Sequence, residues 1–270
     1  MKKLTAKLAQ LAEMPRYLDF VRKSCGAGVA AKVAAWTLLS VPEILRTGTL
    51  RAVDERVSAL HPPVRSGGEW TYWERVDFGL FRDILLRRCY WPEDAFVPRA
   101  GDVVIDLGAN VGAFSVLAAK RMGTGRVLAL EAQEYEHEML VRNVALNGVG
   151  DIVTPLLGFA GSGGLFGGND DSRRVVDLDA IVRQHGVQEI ALLKVDIEGS
   201  EFALFEAPRP WMRLVRRVAM EVHPPYGDVD ALCARLRGEG FSLRLRPSST
   251  PASAVYLYGE RAAVAAAVAA

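Results

Sequence analysis

The stretch that decides the fold is Asp106-Leu107-Gly108-Ala109-Asn110-Val111-Gly112, which joins the apolar run Val103 to Leu107 to a helical pattern. Glycines at a strand-to-helix turn allow the backbone to approach a nucleotide closely. A dinucleotide fingerprint would read G-x-G-x-x-G, whereas Gly108 and Gly112 are separated by three residues. The Asp106 carboxylate would repel a pyrophosphate, but it suits the ammonium and sulfonium of S-adenosylmethionine. The stretch therefore predicts a nucleotide-type loop and favours a methyl donor.

Short β-branched runs alternate with helical patterns along the rest of the chain, which is typical of βαβ units and a parallel sheet. They cover residues 103–107, 126–131, 152–157, 190–195 and 218–222. Two later runs, 241–245 and 254–258, are joined by a loop too short for a crossover helix, so we expect them to pair antiparallel. The predicted fold is α/β: a Rossmann-like sheet of five parallel strands plus an antiparallel terminal pair.

Composition and charge divide the chain in two. A length of 270 residues, with 50% hydrophobic and 24% charged residues, excludes disordered and disulfide-scaffold classes. Residues 1–65 carry 11 Lys/Arg against 5 Asp/Glu, a net charge of +6, which leaves −5 for the remainder. The turn-forming cluster 61–68 lies at this boundary. We predict a helical N-terminal extension over 1–65, acting as a lid, substrate or docking segment, and a catalytic domain over 66–270.

The three cysteines, Cys25, Cys89 and Cys233, are far apart and form no C-x-x-C pair, so we expect a reduced, cytoplasmic compartment. We expect Pro15, Gly26, Gly28 and Pro42 to divide the N-terminal extension into short helices. The apolar stretch 28–45 contains Lys32, Pro42 and Glu43, and we expect it to fall short of a membrane span. No export signal is expected either.

Two further groups of charged residues follow predicted strands. Glu131 ends the second strand, where its carboxylate can accept both ribose hydroxyls of a nucleotide. The fourth strand leads into Lys194-Val195-Asp196-Ile197-Glu198-Gly199-Ser200-Glu201, and alternation places Lys194 and Asp196 on one face. So many charges beside a buried sheet indicate a binding site at its carboxyl edge. A structural ion pair with helix caps is the alternative, and a magnesium site from Asp196, Glu198 and Glu221 is also conceivable.

A set of motifs lies in order along the chain: Asp106 to Ser115, Glu131, Asn143, Asn147, Leu178-Asp179, Lys194 to Glu201 and Glu221-Val222-His223. In these motifs the chain resembles the FkbM family of S-adenosylmethionine-dependent methyltransferases, which have the class I Rossmann-like fold. The resemblance covers about residues 100 to 225, and one departure is Ala132, where the family usually has proline.

What the resemblance implies is transfer of a methyl group, most often to a hydroxyl of a sugar or other natural product. Asp196 is expected to hold the donor's cationic end or the acceptor hydroxyl, and His223 is the best-placed neutral base because its ordinary pKa lies near working pH. The predicted catalytic residues are Asp196, His223, Lys194 and Glu198. The predicted residues for S-adenosylmethionine are Asp106, Gly108, Ala109, Asn110, Gly112, Glu131 and Asp196, and no metal ligand is assigned.

Several alternatives stay open at this point. A nicotinamide-dependent oxidoreductase would use the same fold, and the methyl could go to carbon or nitrogen. The tetrapeptide His223-Pro224-Pro225-Tyr226 is similar to a motif of amino-group methyltransferases, but it follows the fifth strand rather than the fourth. The negative catalytic domain argues against nucleic acid as a partner. The expected partner is a small-molecule or sugar acceptor, while peripheral membrane contact through residues 1–60 and a homo-oligomer are left open.

Overall fold

The computed structural model describes residues 12–160, 175–248 and 254–261. The helices are α1 (Met14–Cys25), α2 (Ala27–Thr47), α3 (Arg51–Ser58), α4 (Phe78–Phe81), α5 (Ala113–Met122), α6 (Glu134–Leu146), α7 (Leu178–Gln184), α8 (Glu201–Leu204) and α9 (Val229–Gly238). The strands are β1 (Val64–Ser66), β2 (Glu69–Thr71), β3 (Val103–Leu107), β4 (Arg126–Glu131), β5 (Val153–Leu157), β6 (Phe159–Ala160), β7 (Val175–Val176), β8 (Leu192–Val195), β9 (Arg217–Val222), β10 (Phe241–Pro247) and β11 (Val255–Arg261).

The central sheet has seven strands in the order β10-β11-β9-β8-β3-β4-β5. The five strands β5, β4, β3, β8 and β9 are parallel, and β11 runs antiparallel to both β9 and β10. This arrangement confirms the predicted Rossmann-like sheet. β3 and β8 are buried nearly throughout, because helices cover both faces of the sheet. Their continuous apolar runs are the pattern that such burial requires.

Close packing, rather than a ligand, explains the two glycines of the β3–α5 turn. Gly108 has a φ of +73°, and a Cβ there would lie 1.7 Å from the carbonyl oxygen of Asp196. Gly112 has a φ of +89°, and a Cβ there would lie 2.6 Å from Leu140 Cδ1. Both positions therefore exclude a side chain before any nucleotide is considered.

Two buried asparagines, Asn143 in α6 and Asn147 directly after it, attach the segment after β2 to the catalytic sheet. Asn147 accepts a hydrogen bond from the Tyr72 N–H at 2.8 Å and donates to the Tyr72 carbonyl at 2.7 Å. Asn143 accepts from the Glu74 N–H at 2.8 Å and donates to the Val111 carbonyl at 2.8 Å. These side chains act as structural links, which explains their place in the motif without a ligand contact.

The N-terminal helices continue the core of the sheet. Buried residues of α1, α2 and α3 belong to the same apolar cluster as buried residues of α5. The Tyr17 hydroxyl donates to Asp54 at 2.7 Å, and Asp54 pairs with Arg82. Through Arg82 the extension supports α4, which supplies Leu80 to the cavity described below, and the turn after α4, which supplies Ile84. The proposed division at residues 65 and 66 stays a prediction.

The expectation of several short helices is wrong for α2, which runs unbroken through Pro42 over 21 residues. Proline removes one helical hydrogen bond, the one to the carbonyl of residue 38. Pro42 and Leu38 are both exposed, so water can satisfy that carbonyl. Among the described residues, α2 is also long and apolar enough to cross a membrane by length and composition, contrary to the expectation that this stretch is too short.

Candidate active site

A cavity of about 320 Å³ lies at the carboxyl edge of the sheet, within the size range of small-molecule sites. The ends of β3, β4 and β8 form its floor, and the helical segment at residues 80–84 forms part of its wall. The lining includes Gly108, Ala109, Asn110, Phe114, Glu131, Gly158, Lys194, Asp196, Ile197, Glu198, Leu80, Ile84 and Tyr90. The cavity therefore lies where open α/β sheets bind ligands.

Glu131, at the end of β4, is buried and accepts two backbone hydrogen bonds. Its carboxylate accepts the N–H of Asn110 at 2.7 Å on one oxygen and the N–H of Gln133 at 2.9 Å on the other. Each carboxylate oxygen keeps a further lone pair. Glu131 therefore shapes the glycine turn and can still accept ribose hydroxyls, as predicted for a nucleotide donor.

Asp106 does not face the cavity, contrary to its predicted role. It is paired in register with Lys194 across β3 and β8, and the Lys194 Nζ lies 2.9 Å from the Asp106 carboxylate. The Ser115 hydroxyl donates to the same carboxylate at 2.6 Å. Because Asp106 is fully buried and already paired, it cannot contact the donor's cation directly. The prediction treated the Asp106 carboxylate as free, whereas Lys194 on the neighbouring strand is its partner.

Lys194 is a buried cation that holds the glycine turn rather than a proton carrier. Burial acts to lower the pKa of Lys194, but the charge of Asp106 outweighs it and raises that pKa. Its Nζ donates to the Gly108 carbonyl at 2.6 Å. Lys194 therefore stays charged and connects the turn to β8.

Asp196 lies at the end of β8 and is the centre of a carboxylate pair. The Tyr90 hydroxyl donates to Asp196 Oδ2 at 2.7 Å and lies 3.4 Å from Glu221 Oε2. Burial and then the Asp196 charge raise the pKa of Tyr90, so this phenol stays a donor. Burial, followed by the Asp196 charge, raises the pKa of Glu221 to about 7. Two carboxylates therefore share one phenol, and one of them titrates near neutral pH.

His223 lies beside this pair, outside the lining of the cavity, and it is not a neutral base. Its Nδ1 lies 3.1 Å from the fully buried Glu201, and its Nε2 lies 3.4 Å from Glu198. Burial acts to lower the pKa of His223, but the hydrogen bond and charge of Glu201 outweigh it and raise the pKa to about 9. The expected neutral imidazole is therefore a cation at neutral pH. The prediction failed because the partner, Glu201, lies 22 residues away in the chain.

Asp196, Glu198 and His223 offer ligand atoms that all lie within 4.8 Å of one another. Carboxylate oxygens suit Mg²⁺, and a histidine nitrogen suits transition metals. A cation bound to all three would have to displace the proton of His223, so its affinity would rise with pH. This set differs from the sequence-based one by having His223 in place of Glu221.

Seven of the predicted residues come together around the cavity: Gly108, Ala109, Asn110, Glu131, Lys194, Asp196 and Glu198. Asp106, Gly112 and His223 lie outside the lining. No catalytic or binding role was predicted for Tyr90, since it lies in Cys89-Tyr90-Trp91 with no motif around it. Glu221 and Glu201 lie in the motifs of the family resemblance, but no catalytic role was predicted for them. A charged residue inside an apolar strand could have identified Glu221 as a candidate.

Three carboxylates and one lysine are the charged groups of the lining, and the lysine is already paired with Asp106. A negative site of this kind suits a cationic ligand and opposes a pyrophosphate. Together with the strand order, it defines the class of Rossmann-like methyltransferases that use S-adenosylmethionine. The family follows from the sequence itself.

The chain belongs to the FkbM methyltransferase family, because the methyltransferase FkbM domain matches residues 106–243, about half of its length. It is therefore an S-adenosylmethionine-dependent methyltransferase, and the nicotinamide-dependent alternative is wrong. The matched range contains every residue predicted for donor binding or catalysis.

Two relatives support the assignment. The 31-O-demethyl-FK506 methyltransferase FkbM of Streptomyces tacrolimicus is 27% identical, covering 61% of this chain and 81% of its own. Methyltransferase sdnD of Sordaria araneosa is 25% identical, and the match covers 61% of this chain and 82% of that protein. Among solved structures, the fibrillarin pre-rRNA processing protein of Methanococcus jannaschii has a TM-score of 0.50 at 13% identity, covering 74% of this chain and 82% of that one. That likeness shows the fold alone.

Proposed function

We propose that the protein transfers the methyl group of S-adenosylmethionine to a hydroxyl oxygen of a small-molecule or glycan acceptor. The residues that would hold the donor are the turn Gly108 to Asn110, Glu131 and Asp196, all of which line the cavity. When bound, S-adenosylmethionine supplies an electrophilic methyl group. The protein then has to orient the acceptor and receive one proton from it.

The observation that carries this proposal is the carboxylate pair of Asp196 and Glu221 around the Tyr90 hydroxyl. An alcohol loses its proton as its oxygen gains a methyl group, so it needs a base close by. Glu221, with a pKa of about 7, is half ionised at neutral pH and is suited to general-base work. A neutral amine can attack before losing a proton, so an amine acceptor would need this arrangement less.

The roles of the individual residues follow from their contacts. Asp196 lines the cavity and would accept the hydrogen bond of the acceptor hydroxyl. Glu221 would take up the proton, and Tyr90 would relay it between the two carboxylates. Glu198 and the His223 cation would border the acceptor side, because Glu198 lines the cavity and lies 3.4 Å from the imidazole.

One relative supports an oxygen acceptor. The Streptomyces tacrolimicus protein is named a 31-O-demethyl-FK506 methyltransferase. A further relative, a ribosomal protein L11 methyltransferase of Syntrophomonas wolfei, is 42% identical but covers only 22% of this chain. A small hydroxylated acceptor is therefore favoured over a protein.

The test uses the full chain, methyl-deuterated S-adenosylmethionine and a small-molecule extract of hydroxylated natural products. Mass spectrometry identifies labelled products, and NMR assigns the label to oxygen, nitrogen or carbon. We expect an O-methyl product, with a rate that rises as pH passes upward through about 7. Label found only on nitrogen or carbon would overturn the proposal.

Two variants test the assigned base. Glu221→Gln should lower turnover by about 10² to 10⁴ and remove the pH dependence near 7. Glu206→Gln, at an exposed carboxylate outside the cavity, is the matched control and should keep the parent rate. Equal rates in the two variants would refute the role of Glu221.

A further inference from the structure

Helix α2 presents large apolar residues outward, while two of its four buried residues are polar. Leu38 and Leu39 have exposed fractions of 75% and 74%, and Leu45 is 38% exposed. Thr37 and Ser40, in contrast, are buried. The outward residues form a stripe at helical spacing. We name it the α2 apolar face, and it consists of Ala31, Ala35, Leu38, Leu39, Pro42 and Leu45.

One hydrogen bond within α2 satisfies Thr37, and one between helices fixes the orientation of α2. The Thr37 hydroxyl donates to the Val33 carbonyl at 2.8 Å, and the Ser40 hydroxyl accepts from Arg56 of α3 at 2.9 Å. Rotating α2 to bury the two leucines would break the bond to Arg56 and expose Val33 and Ile44, which are now buried. The α2 apolar face therefore stays directed away from the part of the chain that the structure describes.

The charges around this face identify the surface that it fits. Exposed Lys32 and Arg46 lie along its border, and Arg46 Nη2 lies 3.8 Å from Glu43, which leaves Lys32 as the net positive charge there. Over residues 12–65, the part of the extension that the structure describes, there are 8 Lys/Arg against 5 Asp/Glu. An apolar stripe with a net positive border is typical of helices that lie in the interface of anionic membranes.

We propose that the α2 apolar face docks the protein on an anionic membrane surface, independently of which acceptor it methylates. The helix lies in the interface rather than crossing the bilayer, because Val33 and Ile44 pack on the protein and Ser40 is bonded to Arg56. A second copy of the chain is a poorer occupant. A two-fold pairing of this face would bring the cationic borders of both copies together.

The experiment is flotation of the full chain with phosphatidylcholine vesicles, with and without phosphatidylglycerol. We expect binding to the anionic vesicles that weakens with added salt. The double variant Leu38→Glu/Leu39→Glu should lower the partition coefficient by at least about thirtyfold, since each side chain loses most of an apolar burial. Leu146→Glu, at a leucine of α6 that is 52% exposed, is the matched control and should bind as the parent does.

A second variant tests the charge separately. Lys32→Gln should weaken binding to anionic vesicles by about fivefold and leave binding to neutral vesicles unchanged. Titration with S-adenosylhomocysteine verifies that each variant is folded. The proposal is overturned if the parent does not float with anionic vesicles, or if the double variant floats equally well. It is also overturned if the parent is a dimer that does not bind vesicles and Leu38→Glu/Leu39→Glu is a monomer, since the α2 apolar face would then join two copies.

Discussion

Gly108→Ala tests whether contact between two strands, rather than contact with a ligand, demands glycine in the turn after β3. The added Cβ would lie 1.7 Å from the Asp196 carbonyl oxygen, whereas real Cβ atoms essentially never come closer than 3.0 Å. The end of β3 or of β8 would therefore have to move by at least about 1.3 Å. That movement would disturb the hydrogen bond at 3.0 Å from the Asp196 N–H to the Leu107 carbonyl.

The magnitude follows by comparison with Gly101→Ala. Gly101 also has a positive φ, +85°, but nothing lies within 4 Å of a Cβ built there. Its replacement should cost only the left-handed backbone strain, about 1–2 kcal/mol. Gly108→Ala adds overpacking between strands, typically about 1–3 kcal/mol. We expect a loss of about 2–5 kcal/mol in the free energy of unfolding for Gly108→Ala.

Urea unfolding followed by tryptophan fluorescence measures both variants, and calorimetric titration with S-adenosylhomocysteine measures the site. Gly108→Ala should also lower turnover by about a hundredfold, because Asp196 would be misplaced by about 1 Å. Gly101→Ala should keep the parent's affinity. If the two variants lose the same stability, the strand contact does not set the glycine requirement, and our explanation of the turn is refuted.

Three further perturbations act on two ion pairs and one hydrogen bond of the site. Lys194→Met leaves Asp106 as a buried charge without a counter-ion and should lower the free energy of unfolding in urea by about 3–5 kcal/mol. The double variant Lys194→Met/Asp106→Asn should recover part of that stability. The pKa of His223 rises from an ordinary 6.5 to about 9 on folding, so the stability that it contributes is full below pH 6.5 and is lost as pH rises through 9. His223→Gln should abolish this dependence of the unfolding free energy on pH. If the dependence is unchanged in the variant, it belongs to another group. Tyr90→Phe removes the hydroxyl that donates to Asp196, so it should lower kcat by about tenfold or more with little change in the free energy of unfolding. An unchanged kcat would exclude a role of the Tyr90 hydroxyl in proton movement.

The strands were predictable because burial on both faces requires continuous apolar runs, and the parallel order follows from the crossovers. The run predicted over 190–195 forms β8 from Leu192, with Ile190 contributing a single bridge to Val215. Helix α2 was predicted less well, because a proline inside a pattern normally ends a helix. The exposure of Pro42, which removes that penalty, is a tertiary property that local sequence does not contain.

Half of the site could be inferred from strand ends and half could not. Glu131 and Asp196 end strands at the ligand edge, so topology alone brings them together. Tyr90 reaches Asp196 across 106 residues of sequence, and no periodicity predicts that contact. The charge of His223 depends likewise on Glu201, which only the fold places beside it.

The bonds between Asn147 and Tyr72 also have a consequence for the order of events during synthesis. They join positions 75 residues apart, and α5, on which the N-terminal helices pack, follows those helices in the chain. At about 5 to 20 residues per second, about 4 to 15 s pass between translation of the first partner and of the second. In the earlier part of that interval, before α5 has been made, the N-terminal helices lack the core on which they pack, and their apolar residues are open to chaperones.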